Sequence, residues 1–184
     1  MMKKVLVLAF ITGSLTATAF AQEAAKVDPL DVSGGTITFN GEITNGACAI
    51  SSEDSNQTVT LDTVPSSTFT AADQLGNAVK PFTIKLVNCD TSTYKTVAVT
   101  FSGTSDATTP TLLANQAGVG GAKNVGLQLF DSKSQPLALN TATSAFDLST
   151  ADTTLNFSVD YKSTAATVTA GKVQSVADFK LTYN

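Results

Sequence analysis

Apolar and polar residues alternate with a period of two along much of the chain. Phe82, Ile84 and Leu86, then Val97, Val99 and Phe101, Val125, Leu127 and Leu129, and finally Leu155, Phe157, Val159 and Tyr161 form the clearest runs. Ile37 and Phe39 with Ile43, and Val59 with Leu61, are shorter ones. Because successive side chains of a strand point to opposite faces, each run predicts a strand with one buried face. The positions between are largely Thr, Ser, Asn and Lys, and the branched Cβ of Thr suits the pleat. No window carries a helical stripe, and residues 66–74 predict at most a turn or so of helix. Segments 51–57, 62–67, 103–121 and 140–153 are rich in Ser, Thr, Asn, Asp and Gly, which predicts surface connections within one domain. Several short strands at this spacing predict an all-β sandwich.

The N-terminal end departs from this pattern. Met1-Met2-Lys3-Lys4 is a short positive segment, residues 5–11 are apolar, and Ala19-Phe20-Ala21 places small residues where a signal peptidase needs them. Residues 1–21 are therefore expected to be a signal peptide cut after Ala21, with Ala17 or Ala19 as alternatives. The apolar stretch is shorter than the ~20 residues that a membrane anchor needs. The expectation is an exported, soluble chain of residues 22–184. Residues 22–35 are small and polar, with Pro29 and the Gly34-Gly35 pair, and read as a mobile arm ahead of the first strand. Residues 22–44 are taken as an N-terminal extension and 45–184 as a single domain.

Composition narrows the function. With 42% hydrophobic and 14% charged residues among 184, there is material for one packed domain. All 11 basic side chains are Lys, the net charge is -4, and loss of Lys3 and Lys4 takes it to -6. Nucleic acid is a poor partner for such a surface. The chain has no His, which removes the usual general base, the Ser-His-Asp and Cys-His systems and the HExxH zinc site. No enzyme activity, cofactor or metal is expected. Cys48 and Cys89 stand 41 residues apart without a CxxC, and an oxidising compartment lets such a pair close into a structural disulfide. Gly118-Val119-Gly120-Gly121 lacks the Lys-Ser/Thr of a phosphate loop and reads as a plain loop. The carboxylate pairs Glu53/Asp54 and Asp147/Asp152 fit no calcium loop and read as solvated turns.

The C-terminus holds the most informative pattern. Tyr183, Leu181, Phe179, Ala177, Ser175, Val173 and Gly171 occupy every second position, with polar residues mostly between. On alternation alone this is an ordinary terminal strand. A penultimate aromatic with alternating groups upstream and a glycine fourteenth from the end resembles the C-terminal signature of chaperone-usher pilus subunits. Gly34-Gly35-Thr36-Ile37-Thr38-Phe39-Asn40-Gly41-Glu42-Ile43 followed by Cys48-Ala49-Ile50 resembles the start of type 1 fimbrial major subunits, and residues 124–131 and 177–183 are similar to theirs too.

That resemblance implies an immunoglobulin-like β-sandwich lacking its last strand, completed by donor-strand complementation. It implies a fimbrial shaft subunit, exported through the periplasm to the cell surface and supporting adhesion. Its partners would be identical subunits, a periplasmic chaperone, an outer-membrane usher and tip or adaptor pilins. The groove wall and chaperone-binding strand would include Gly171, Val173, Phe179, Leu181 and Tyr183. The donor strand would be the arm, through Gly35, Ile37, Phe39, Gly41 and Ile43. A minor adaptor or terminator pilin is the near alternative. A free secreted β-sandwich that binds carbohydrate is the alternative from another class, for which the absence of Trp and the scattered Tyr94, Tyr161 and Tyr183 offer little.

Overall fold

A computed structural model describes residues 32–41, 43 and 45–184, so the expected signal peptide and the first part of the arm lie outside the described residues. The chain divides into two units at Gly41–Glu42. In the first, residues 32–41 are exposed and carry no regular secondary structure.

The second unit is all-β. Its strands are β1 (Ala49–Ile50), β2 (Lys80–Cys89), β3 (Thr96–Gly103), β4 (Leu113–Ala114), β5 (Val125–Phe130), β6 (Pro136–Leu137), β7 (Phe146–Asp147), β8 (Ala151–Ser163) and β9 (Ala177–Tyr183). One sheet runs β1-β2-β8-β5-β4, with β6 also on β5, and the other runs β7-β3-β9. All strand pairs are antiparallel. The expected helical turn in 66–74 is a single 3-10 turn at Ser66–Thr68.

Register explains why the alternation works. Phe82 lies opposite Phe157 and Ile84 opposite Leu155, while Leu127 faces Tyr161 and Leu129 faces Val159, so one sheet face collects every apolar run. In the second sheet Val97, Val99 and Phe101 pair with Tyr183, Leu181 and Phe179. A slip of one residue in either ladder would turn those side chains to solvent. The two faces meet in a core where Ile84, Leu86, Val97, Val99 and Leu155 are fully buried. The rings of Phe101 and Phe157 meet edge to face at 5.0 Å, a preferred aromatic geometry.

The expectation of one wet face fails on β5, where all six residues are buried. Gln128 sits opposite Asp160 on its outer side, and both are buried. Gln128 Nε2 donates to the carbonyls of Leu129 and Leu137, while Asp160 Oδ1 accepts from the backbone N–H groups of Ala78 and Tyr161. The loop before β2 and the β6 segment thus dock on this face through buried polar groups that are paired except for Asp160 Oδ2, which has no partner among the described residues.

Cys48 and Cys89 form a disulfide that fastens β1 to the end of β2. Beside it the backbone N–H of Asp90 donates to the Ala47 carbonyl at 2.8 Å.

Candidate functional site

Strand β9 forms one edge of its sheet: β3 lies on one side, and among the described residues no strand lies on the other. An open cavity of about 860 Å³ runs beside its start. One wall is residues 173–179, the opposite wall residues 54–61, and the floor includes Phe82, Ile84, Phe101, Leu127, Leu129 and Tyr161 from both sheets. A second cavity of about 710 Å³ shares Tyr161, Val173 and Gln174 with the first and continues past Gly171 toward Phe69 and Val119. Val59, Leu61, Phe82, Tyr161, Val173 and Phe179 pack on the core yet remain only partly buried. Apolar groups in contact with a core but open to water mark an unfinished interior.

The wall at 54–61 is where Val59 and Leu61 were expected to form a strand. Their side chains are half-buried, but the segment joins no strand ladder among the described residues. It is held instead by side chains. Asp54 Oδ2 accepts from the Lys85 N–H at 2.7 Å, and Gln57 Nε2 donates to the Thr83 carbonyl at 2.9 Å. Lys80 pairs with Asp62 at 3.3 Å, and the Tyr161 hydroxyl donates to the Asp62 carbonyl.

The other wall is steered by two residues the sequence pattern did not single out. Asn115 Oδ1 accepts from the Gln174 N–H at 2.9 Å, and its Nδ2 donates to the Lys172 carbonyl at 2.8 Å. The Gln116 N–H donates to the Gln174 carbonyl, and Gln116 Oε1 accepts from the Val176 N–H. Loop asparagines and glutamines carry no period, so no hydrophobic pattern could reveal them.

Gly171, Val173 and Phe179 line the two cavities. Leu181 and Tyr183 continue the same face further along β9, packed on the core opposite Val99 and Val97. The Tyr183 hydroxyl donates to the Cys48 carbonyl at 3.3 Å, joining the chain end to the disulfide region. Burial pushes the phenol pKa of Tyr183 upward, against which the Cys48 hydrogen bond acts in the lowering direction. Gly171 has a local reason to be glycine: a Cβ there would lie 2.5 Å from the Ala122 nitrogen and 2.6 Å from the Gly120 carbonyl oxygen. Those atoms belong to residues 118–122, a loop that turns through positive φ at Gly118 and Gly120.

The expected donor residues have a different environment. Gly35 and Gly41 are exposed, and a Cβ at either would meet nothing within 4 Å. Ile37, Phe39 and Ile43 are 77%, 88% and 100% exposed. Glu42 and Thr44 lie outside the described residues. As for the acidic candidates, Asp54 is engaged with Lys85 as above and Asp152 pairs with the Lys85 ammonium at 3.0 Å. Among the described residues no group of three or more His, Cys, Asp or Glu gathers in a way that could hold a metal.

Comparison with known proteins agrees with this geometry. The family model for fimbrial proteins matches residues 37–184. The probable major fimbrial subunit LpfA of Escherichia coli O157:H7 is 40% identical over 166 residues, covering 90% of this chain and 93% of that one. The type 1 fimbrial subunit of Salmonella typhimurium is 41% identical over 176 residues, covering 92% and 94%. A solved chaperone-usher pilus structure shares the fold, with a TM-score of 0.70 at 24% identity over 86% of this chain and all of that one. An all-β sandwich with an open edge beside its last strand, a matching family model and long relatives at this identity together place the chain in the fimbrial protein family.

Proposed function

We propose that this chain polymerises by laying its own N-terminal arm, residues 22–44, into the groove of the next subunit. As a member of its family the chain is a structural subunit of a cell-surface fimbrial shaft, not an enzyme. The observation that carries the proposal is the groove itself: half-buried core side chains lie along a strand edge with no neighbouring strand among the described residues, while three large apolar residues of the arm are exposed. An extended strand entering beside β9 would pair with that edge and bury alternate side chains, as in β-strand addition generally. Ile37, Phe39 and Ile43 would then face the floor, with Gly35 and Gly41 where the strand passes closest to it.

Before assembly an open groove is an aggregation hazard. A periplasmic chaperone that lends a strand to Gly171, Val173, Phe179, Leu181 and Tyr183 answers that hazard, and an outer-membrane usher and tip or adaptor pilins complete the route to the surface. The test is periplasmic production with and without the chaperone. Alone, the subunit should aggregate or be degraded; with the chaperone it should be soluble. A stable monomer made without any chaperone would refute the reading.

A further inference from the structure

Asn40 precedes Gly41 near the end of the arm. Both are exposed, neither belongs to a strand, and among the described residues no hydrogen bond holds either. A Cβ added at Gly41 would meet nothing within 4 Å, so among the described residues no packed atom blocks the turn that brings the Gly41 nitrogen onto the Asn40 side chain. We propose that Asn40–Gly41 is a self-modification site that limits how long an unassembled subunit can serve as a donor. This rests on the assembly reading above, because the consequence depends on the arm being the donor.

The chemistry needs only water. The deprotonated Gly41 nitrogen attacks Asn40 Cγ, the Cγ–Nδ2 bond breaks, and ammonia leaves with the proton that nitrogen gave up to solvent. The resulting five-membered succinimide adds one water at either carbonyl. Opening at one gives aspartate at position 40; opening at the other gives isoaspartate, with the main chain routed through the side-chain carbons. No oxidant or reductant takes part.

The two products differ in what they do to the arm. Aspartate keeps the backbone length, and its carboxylate points away from the face shared by Phe39 and Gly41. Isoaspartate inserts one extra carbon into the main chain between Phe39 and Gly41. Residues 35–39 and 41–43 then no longer keep a common register, so Ile37 and Phe39 cannot seat together with Ile43. Within an assembled fibre the arm is held as a strand, the turn onto Asn40 Cγ is blocked and the site is protected. A second pair, Asn45–Gly46, lies two residues before disulfide-bonded Cys48 and next to Ala47, whose carbonyl is hydrogen-bonded to Asp90. It serves as an internal comparison.

The test uses the full exported chain in two forms: soluble subunit purified from the periplasm with its chaperone, and fibres sheared from cells. Both are incubated at mildly alkaline pH, and isoaspartate is mapped by peptide mass and by enzymatic methyl transfer. In the subunit Asn40 should convert faster than Asn45. In the fibre Asn40 should react more slowly by at least about tenfold, the ratio that ~1.4 kcal/mol of added restraint produces. Aged wild-type subunit should lose assembly in step with isoaspartate at position 40. Asn40→Ser should keep assembly through the same incubation, and Asn40→Asp should assemble like fresh wild type.

Intact Asn40 in aged subunit, or aged subunit that assembles fully despite isoaspartate, would overturn the proposal and leave the donor assignment standing. Equal conversion in subunit and fibre would overturn the donor assignment along with it, because the arm would then be free in the polymer.

Discussion

Appending residues 35–43 after Asn184 through a flexible linker should convert the subunit into a self-completed monomer, and a second version with Ile37, Phe39 and Ile43 of the appended copy changed to Ser isolates what the apolar side chains contribute. The two versions share the cost of ordering the strand and any backbone bonds it makes with β9, so those terms cancel in the difference. In the free arm the three side chains are 77%, 88% and 100% exposed, so almost all of their area is available to bury. At about 1.5–3 kcal/mol for each large apolar side chain, the versions should differ by about 4.5–9 kcal/mol. For a domain of this size, where 1 kcal/mol moves the melting temperature by about 2–4 °C, the separation is about 10–35 °C. Thermal unfolding followed by circular dichroism on the purified monomers reads it directly. Identical melting temperatures would mean that the groove does not take these residues, and the assembly reading would fall with them.

Further outcomes follow from single contacts. Gly171→Ala forces a Cβ against the 120–122 backbone and should destabilise the subunit by about 1–3 kcal/mol, seen as a lower midpoint in denaturant. Gly41→Leu should leave the chaperone-bound subunit folded and slow fibre formation, which electron microscopy of the assembly reaction would score. Replacing Cys48 and Cys89 by Ser opens a loop of 41 residues and should cost about 4 kcal/mol, measured by chemical denaturation without reductant. Burial raises the phenol pKa values of Tyr161 and Tyr183. As pH climbs past about 10, the unfolded phenols ionise first and the folded state retains more protons, so stability falls with pH there. Tyr161→Phe and Tyr183→Phe should flatten that fall, and an unchanged slope in the double variant would refute the attribution.

The long strands were legible because their alternation is uninterrupted. Leu155, Phe157 and Val159 could only be one face of a strand, and β8 places them there, opposite the matching run of β2. The short strands β1, β4, β6 and β7 have two residues each, too few for a period to register. Residues 58–61 mislead in the opposite direction. Val59 and Leu61 alternate as a strand should, yet the segment is held by Gln57 and Asp62 rather than by a ladder. On β5, Gln128 reads as a solvent-facing residue and is buried, its side-chain amide donating to the Leu137 carbonyl of β6 and the Leu129 carbonyl of β5 itself. Side-chain donors that meet backbone acceptors across a loop leave no trace in hydropathy. Asn115 and Gln116, which steer the groove wall, are hidden for the same reason.

Two glycines separate what the chain does for itself from what it does for a neighbour. Gly171 is crowded within its own molecule, where three backbone atoms lie within 2.6 Å of any added Cβ, so its identity is fixed by folding alone. Gly41 meets nothing. In an exposed irregular segment almost any residue would serve, and glycine there adds chain entropy that ordering must later overcome. In the assembly proposed above, a strand lying close over a groove floor is a state in which a side chain at position 41 would be unfavourable. The same reasoning covers Ile37, Phe39 and Ile43, since three large apolar groups in water are unfavourable in the subunit and favourable only where a surface receives them. The half-buried Phe82 and Tyr161 of the floor, with Val173 and Phe179 of the wall, form the surface that the proposed assembly assigns to them. Under the assembly proposed above, each subunit carries one apolar segment and one open groove, and because both belong to the same chain the deficit would pass from subunit to subunit along the fibre.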